Sequence, residues 1–204
     1  LSSSFGLYTW MNNPESQMVA VTVKAGSKAE MALPDGTFVH LNAATNLEYD
    51  VNNSKQRLVK LSGEAFFDVA KNPDCPFKVI INDLQIEVVG TSFNVKTYKK
   101  DIVETSLLSG RIRISGGSLP HEYTLSPGQK ATYSAMDKTL RISKADAHVE
   151  AGWRDNYLIF ESTPLIDVIA QIERWYGVEI RLHHKQIAQD LLSGSFRNES
   201  IQNV

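Results

Sequence analysis

The chain has 204 residues, of which 42% are hydrophobic and 22% are charged, a composition that supports a buried core and excludes a disordered chain. Its 21 Lys and Arg against 23 Asp and Glu give a formal net charge of −2. Nucleic-acid-binding proteins usually carry a basic excess, so we expect no nucleic-acid partner. The single cysteine, Cys75, excludes an intramolecular disulfide and a cysteine metal cluster.

The sequence shows neither the pattern of a membrane-spanning helix nor that of a signal peptide. No apolar run reaches the roughly 18 residues that a membrane-spanning helix needs, and the first residues lack the features of a signal peptide. Because the chain begins at Leu1 rather than at a methionine, we expect it to be a fragment of a longer protein.

Residues 1–17 are polar, and we expect a linker or irregular lead-in there. From residue 18 to residue 148, hydrophobic and polar side chains alternate, for example at residues 19–24 and 111–115. This period of two is typical of antiparallel strands with one buried face and one wet face. Turn signals such as the Pro-Asp-Gly at residues 34–36 separate the strands. The pattern predicts a β-rich domain and leaves a sandwich, a barrel and a solenoid-like stack open.

Residues 149–204 change pattern and predict a small α/β domain of β-α-β type. Residues 157–161 read as a strand, Thr163 as a helix N-cap and Pro164 as the first helical residue. Gly177 ends the helix as its C-cap, and residues 178–182 alternate as the second strand. The apolar stripe of the helix consists of Leu165, Val168, Ile169, Ile172, Trp175 and Tyr176.

The end of the sequence predicts two further elements. Phe196 marks the start of another strand, and residues 199–201 mark the start of a second helix. A helix cut at its start cannot bury its apolar face, so we expect either that this small domain is truncated at Val204 or that its end is disordered.

The sequence shows no enzyme signature. Zinc-peptidase, P-loop, Rossmann and Gly-x-Ser-x-Gly motifs are all absent, and we expect neither catalysis nor a cofactor. His183 and His184 are adjacent on a predicted strand, so their rings point to opposite faces and do not share a metal ion. We therefore expect no metal site.

Two carboxylates leave one alternative function open. Glu64 and Asp68 are four residues apart in a predicted strand, which places them on one face about 13 Å apart. That distance exceeds the separation of a glycosidase carboxylate pair, but residues from elsewhere in the chain can complete a site. A carbohydrate-binding or carbohydrate-active β-domain is therefore the alternative to a protein-binding module.

The Gly90-Thr91 bond is a candidate for self-cleavage. A threonine hydroxyl can attack the preceding carbonyl when the backbone is strained, and glycine presents the least hindered carbonyl. The sequence supplies this nucleophile but no identifiable base. The structural interpretation is that Gly63 and Gly90 each mark a bulge or a tight bend within a strand.

Six short segments follow one another along the β-rich part: residues 33–37 (LPDGT), 61–69 (LSGEAFFDV), 76–77 (PF), 90–95 (GTSFNV), 108–112 (LSGRI) and 125–129 (LSPGQ). Taken in this order, they resemble the FecR family of anti-sigma factors. A second stretch, residues 153–178, resembles the small C-terminal domain of many members, which is similar to the short N-terminal domain of secretins and TonB-dependent transducers. The resemblance covers about residues 20–204. Residues 155–156 (DN) depart from a family pattern that usually ends in Gly, and Asn tolerates the positive φ that this turn needs.

The resemblance implies the periplasmic domain of a single-pass inner-membrane protein. Its implied partners are an extracytoplasmic-function sigma factor, held by a cytoplasmic segment outside this sequence, and the signalling domain of a TonB-dependent outer-membrane transporter. Periplasmic and intramembrane proteases would free the sigma factor. The protein would contact the membrane only through a transmembrane helix outside this sequence. Some members cleave themselves at a Gly-Thr bond, which matches Gly90-Thr91 here.

We expect the transporter's signalling domain to meet the strand edges of the small domain, either by strand addition or by helix packing. These edges lie at residues 157–160 and 178–182. The predicted partner-binding residues are Tyr157, Ile159, Phe160, Val178, Ile180 and Leu182.

Overall fold

A computed structural model describes residues 17–51 and 57–203 of the chain. Within these ranges, two seven-stranded sheets are followed by a separate two-stranded sheet with a helix. The described helices are all too short or too polar to cross a membrane. The mainly β class with a small α/β region matches the prediction from the sequence.

Fourteen strands form the two large sheets. They are β1 (Met18–Val23), β2 (Ala29–Ala32), β3 (Phe38–Leu41), β4 (Thr45–Asp50), β5 (Arg57–Ser62), β6 (Glu64–Asp68), β7 (Phe77–Ile81), β8 (Leu84–Val88), β9 (Ser92–Lys96), β10 (Ile102–Ser109), β11 (Ile112–Gly116), β12 (Tyr123–Leu125), β13 (Gln129–Ser134) and β14 (Thr139–Lys144).

The two sheets pack face to face as a β-sandwich. The first has the order β1-β4-β5-β7-β8-β11-β12, and the second has the order β14-β13-β10-β9-β6-β3-β2. Neighbouring strands are antiparallel, except that β5 and β7 run parallel. Of the three arrangements that the sequence left open, the structure therefore has the sandwich.

One core fills the space between the sheets. The side chains of Phe67, Phe77 and Phe93 are almost fully buried at its centre. The ring of Phe67 stacks on that of Phe93 at 5.2 Å between centroids and tilts against that of Phe77 at 5.8 Å. Such aromatic packing stabilises a core beyond the area it buries, because the ring edges meet the ring faces.

The turn at residues 34–36 is fastened to the rest of the sandwich by the buried Arg57. Gly36 has φ +84°, the left-handed conformation that this turn needs. The Arg57 Nε donates to Asp35 Oδ2 at 2.6 Å, and its two terminal nitrogens donate to the carbonyls of Cys75 and Ala70. A buried guanidinium is stable only with partners of this kind, so Arg57 joins two loops that are distant in sequence.

The chain leaves the sandwich through a connecting segment, residues 145–156, that holds a short helix and a single 3₁₀ turn. The C-terminal module, residues 157–203, follows it. The elements are α1 (Ala147–Ala151), the 3₁₀ turn Gly152–Asp155, β15 (Tyr157–Pro164), α2 (Leu165–Tyr176), a second 3₁₀ turn Lys185–Gln189 and β16 (Leu191–Arg197).

The second strand of the module differs from the prediction. Residues 178–182 do not form a strand, and β15 instead pairs antiparallel with β16. The cause is Glu173, whose carboxylate Oε1 accepts a hydrogen bond from the Ile180 N–H at 2.8 Å. Its backbone carbonyl accepts from Gly177 and Val178, so this stretch wraps around the end of α2. Phe196 lies near the end of β16 rather than at a strand start.

The ends of α2 were predicted in part correctly. Gly177 is the C-cap, with φ +68°. At the other end, β15 runs on through Pro164, which takes the N-cap position without a side-chain bond, so α2 begins at Leu165. The Thr163 hydroxyl donates to the carbonyl of Glu161 instead of capping the helix. Residues 201–203 form a turn rather than the predicted second helix.

Candidate functional site: the contact between the sandwich and the C-terminal module

The outer face of the second sheet, the face turned away from the sandwich core, is buried at β6. Ala65 and Phe67 point into the sandwich core, as strand alternation requires. Glu64 and Phe66 point the other way, yet they are only 7% and 3% exposed. The connecting segment lies on this face and buries them, so β6 is covered on both sides.

A polar network joins the connecting segment to the sheet. The Trp153 indole Nε1 donates to Asn94 Oδ1 at 3.1 Å, and Asn94 Nδ2 donates to Glu64 Oε1 at 2.9 Å. The second carboxylate oxygen of Glu64 accepts from Asn42 Nδ2 at 2.7 Å. Each of these side chains is buried and hydrogen-bonded, which is the condition under which buried polar groups are tolerated. The network fixes where Trp153 sits.

Beside this network, Arg154 covers the ring of Phe66. The guanidinium carbon lies 3.6 Å from the ring centroid, a close cation–π contact. Partial burial lowers the pKa of Arg154 below its ordinary value, although Asp155 and Asp68 oppose that change. Phe66, Ala151 and Trp153 form a small apolar cluster that anchors the connecting segment.

Lys28, in the turn between β1 and β2, holds both the connecting segment and the C-terminal module. Its Nζ donates to the Trp153 carbonyl at 2.6 Å and to Asn156 Oδ1 at 3.0 Å. The same ammonium lies 3.6 Å from the ring centroid of Trp175. Although the residue as a whole stays exposed, desolvation of its ammonium end lowers the pKa of Lys28 to about 8, against an opposing effect of Glu64.

The same turn touches the C-terminal end of α2. The Gly26 N–H donates to the Arg174 carbonyl at 2.8 Å. A Cβ on Gly26 would lie 3.2 Å from the Tyr176 carbonyl oxygen, and one on Gly177 would lie 3.2 Å from the Ala25 oxygen. Both positions therefore require glycine for close backbone approach as well as for their positive φ.

A second contact forms between α2 and the loop after β9. The guanidinium carbon of Arg174 lies 4.1 Å from the ring centroid of Tyr98, whose hydroxyl donates to the Ala43 carbonyl. Burial raises the pKa of Tyr98, and the nearby Glu64 adds to that rise. Lys99 Nζ reaches Asp167 Oδ2 at 2.6 Å and ties α2 to the same loop.

Between these contacts lies a cleft of about 390 Å³. Its sandwich side carries a row of charges from neighbouring strands, in which Lys130 pairs with Glu104 at 3.2 Å. Lys130 also pairs with Glu150 of the connecting segment at 2.8 Å. Burial alone would lower the pKa of Lys130, but these two carboxylates outweigh it and the pKa is raised. The module side includes Tyr157, Ile159, Asp167 and Arg174. The contact between the two parts is therefore polar and incompletely packed.

Comparisons with known proteins agree with this architecture. The family model described as "FecR protein" matches residues 19–113, and the one described as "FecR, C-terminal" matches residues 157–204. A crystal structure of a candidate anti-sigma factor from Parabacteroides distasonis ATCC 8503 is 31% identical, covers 91% of this chain and 87% of its own, and has a TM-score of 0.83.

The chain belongs to the FecR family of anti-sigma factors. A second crystal structure described in the same words, from the same organism, is 31% identical with a TM-score of 0.83, and covers 92% of this chain and 88% of its own. No curated protein sequence gives a significant match.

The FecR segments found in the sequence coincide with the contact. Gly63, Glu64 and Phe66 come from the segment LSGEAFFDV, and Asn94 comes from GTSFNV. Gly63 has φ +112°, and a Cβ there would lie 2.5 Å from Thr45 Oγ1. These residues form the outer surface that receives the connecting segment, a role that strand alternation alone did not predict.

The predicted partner-binding residues occupy different environments. Tyr157 and Ile159 line the cleft, whereas Phe160 is 2% exposed and packs inside the module. Val178, Ile180 and Leu182 lie in the loop after α2, so their assignment to a strand edge is wrong.

The self-cleavage candidate lies at the start of β9. Thr91 is buried, and its hydroxyl donates to the Arg111 carbonyl at 3.1 Å. Gly90 lacks a positive φ, but a Cβ there would lie 2.8 Å from that of Lys71, so close approach explains the glycine. The hydroxyl is thus engaged with a carbonyl and not with a base. Self-cleavage stays a prediction.

Glu64 and Asp68, the two carboxylates considered for a carbohydrate site, lie in different surroundings. Glu64 is enclosed by Asn42 and Asn94, while Asp68 is exposed and accepts from the Ser92 hydroxyl at 2.8 Å. Glu64 therefore serves the contact between the two parts. His183 and His184 lie exposed in the loop after α2 rather than on a strand. Within residues 17–51 and 57–203, no group of metal-ligating side chains assembles.

Proposed function

We propose that this chain is the periplasmic sensor region of a transmembrane anti-sigma factor in the inner membrane. It receives a signal from an outer-membrane TonB-dependent transducer and relays it to an extracytoplasmic-function sigma factor by protein–protein binding and regulated proteolysis. The proposal is supported by membership of the FecR family and by the 31% sequence identity to a candidate anti-sigma factor over most of both chains.

The observation that carries the proposal is the open edge of β16. In the part of the chain that the structure describes, β16 pairs only with β15. The Asn198 N–H donates to the Asn156 carbonyl, continuing the register in which Leu158 faces Phe196. Because hydrogen-bonding direction alternates along an antiparallel strand, the N–H of Ser195 points away from β15. This edge is free to accept a strand from a partner.

Apolar side chains surround the start of the same strand. Ile166 is 45% exposed, Ile187 40%, Leu191 66% and Leu192 37%. Leu191 pairs with Pro164 immediately before α2, which places it near Ile166. Exposed apolar residues that are grouped in this way mark protein interaction sites. The proposed partner surface is therefore the β16 edge with this patch, in place of the predicted edge at residues 178–182.

Calorimetry with the signalling domain of the TonB-dependent transducer encoded nearby tests the proposal. We expect saturable one-to-one binding by this chain. Ser195→Pro removes the outward N–H and should weaken binding at least about tenfold, because Pro is compatible with an edge strand but cannot donate. Ser195→Ala keeps the N–H and is the matched control.

A second pair of variants tests the apolar patch. Leu191→Asp should weaken binding, whereas Met136→Asp, at a 78% exposed position on the sandwich, should not. Absence of binding by the unaltered chain would contradict the relay. Full binding by both Ser195→Pro and Leu191→Asp would keep the relay but place the partner on another surface.

A further inference from the structure

The C-terminal module has a small core of its own. Leu158 and Phe160 from β15 pack against Val168 from α2, and all three are at most 2% exposed. Phe196 from β16 completes this cluster. Strand pairing and core contacts therefore hold residues 157–203 together as one body.

The module meets the sandwich mainly through polar contacts, apart from Trp175, which packs against the cluster of Phe66, Ala151 and Trp153. Lys28 lies under the ring of Trp175, the Gly26 N–H donates to Arg174, and Lys99 pairs with Asp167. The side chains of that ion pair are 61% and 31% exposed. Contacts of this kind exchange readily for contacts with water, unlike a continuous apolar interface.

The anchor of the connecting segment is the cluster against which Trp175 packs, so it adjoins these contacts. Phe66, Ala151 and Trp153 hold residues 145–155 on the sheet. The module begins one residue after Asn156, which has φ +61°. Asn156 thus lies between an anchored segment and a body held by a few polar contacts and by the packing of Trp175, which is where a hinge belongs.

We propose that the C-terminal module is a hinged lid, which swings as a unit about Asn156 and is held closed over the second sheet by Lys28. The cleft of about 390 Å³ is the space that the closed lid leaves unfilled. Opening exposes the charged row on the sheet, including Glu104 and Lys130. This inference concerns the chain alone and does not depend on the identity of the partner.

Pulsed electron–electron double resonance, which measures the distance between two spin labels, tests the lid. One label is placed by Met136→Cys on the sandwich and the other by Lys185→Cys on the module, both at exposed positions, in a Cys75→Ser background. We expect one narrow distance distribution with the native contacts. Lys28→Met should increase the population at longer distances about tenfold. The hydrogen bonds that Nζ donates to the Trp153 carbonyl and to Asn156 Oδ1 are lost, and so is its contact with the Trp175 ring. Lys24→Met, at an exposed lysine of the same turn, is the control.

Two results would overturn the lid. The first is an unchanged distance distribution in Lys28→Met and also in the triple variant Lys28→Met/Lys99→Met/Arg174→Met, which would show a fixed module. The second is a longer distance together with lost hydrogen-exchange protection of α2, which would show local unfolding rather than a swing. Longer distances with α2 still protected support the proposal.

Discussion

The sandwich and the C-terminal module differ in how they are stabilised. Among the described residues, 25 buried hydrophobic side chains fill the sandwich core, whereas the core of the module has three fully buried side chains. Hydrophobic stabilisation scales with the apolar area that is buried, so we expect the sandwich to be the more stable part and the module the less stable one. Signalling proteins combine a rigid scaffold with a less stable part because only the less stable part responds to a partner.

The largest expected effect is a loss of stability of the sandwich when its core is disrupted. Phe67 is fully buried between Phe77 and Phe93, so Phe67→Ala leaves a cavity that the surrounding rings cannot fill. We expect the free energy of unfolding to fall by about 3–5 kcal/mol, as measured by urea denaturation. A loss below about 1 kcal/mol would contradict a tightly packed core.

The matching change in the module should act locally. Phe160→Ala removes one of three fully buried side chains of the small core. We expect α2 and β16 to lose hydrogen-exchange protection, while the urea midpoint of the sandwich hardly moves, because the sandwich does not rely on the module. If the sandwich midpoint fell as far as in Phe67→Ala, the two parts would form one cooperative unit.

The sequence predicted the elements whose signals are local. Alternation gave the strands of the sandwich, Gly177 gave the end of α2, and the left-handed turn at Asn156 was expected from its residue type. Pairing of β15 was missed because residues 178–182 alternate as a strand would, while Glu173 holds their backbone elsewhere. Short alternating runs do not reveal which segment becomes the partner strand.

The contact between the two parts could not be predicted from the sequence, for a different reason. Lys28 and Trp175 are far apart in the chain, and no spacing rule connects them. One signal was present, since the unbroken apolar run at residues 65–67 is typical of a strand buried on both faces. It indicates that something covers β6, but not that the connecting segment does so.

A smaller effect is expected at the anchor of the connecting segment. Trp153→Phe keeps most of the apolar packing but removes the indole N–H that donates to the buried Asn94 Oδ1. We expect a loss of about 1–3 kcal/mol, because a buried acceptor is left without its partner. Urea denaturation measures the loss, and an unchanged stability would show that Asn94 finds another donor.

The pKa of Lys28 reports on docking of the module without unfolding either part. In the docked chain, NMR titration of the Lys28 side chain should give a pKa of about 8. Gly177→Val blocks the close approach to Ala25 and should return the pKa of Lys28 to about 10.4.

The sign of the pH effect follows from that pKa. The undocked state binds more protons between about pH 8 and the ordinary lysine pKa, so docking gains stability as the pH rises through this window. The gain is lost as the pH falls to about 8, and below that the contribution of Lys28 is constant. A docked population that falls over the same rise in pH would contradict this assignment.

Native-state hydrogen exchange tests most directly the claim that a stable sandwich carries a less stable, docked module. We predict that amides in β15, α2 and β16 exchange through an opening of lower free energy than amides in β6, β9 and β10. Equal opening free energies in both sets, with one common dependence on urea, would contradict the account and make the chain a single cooperative body.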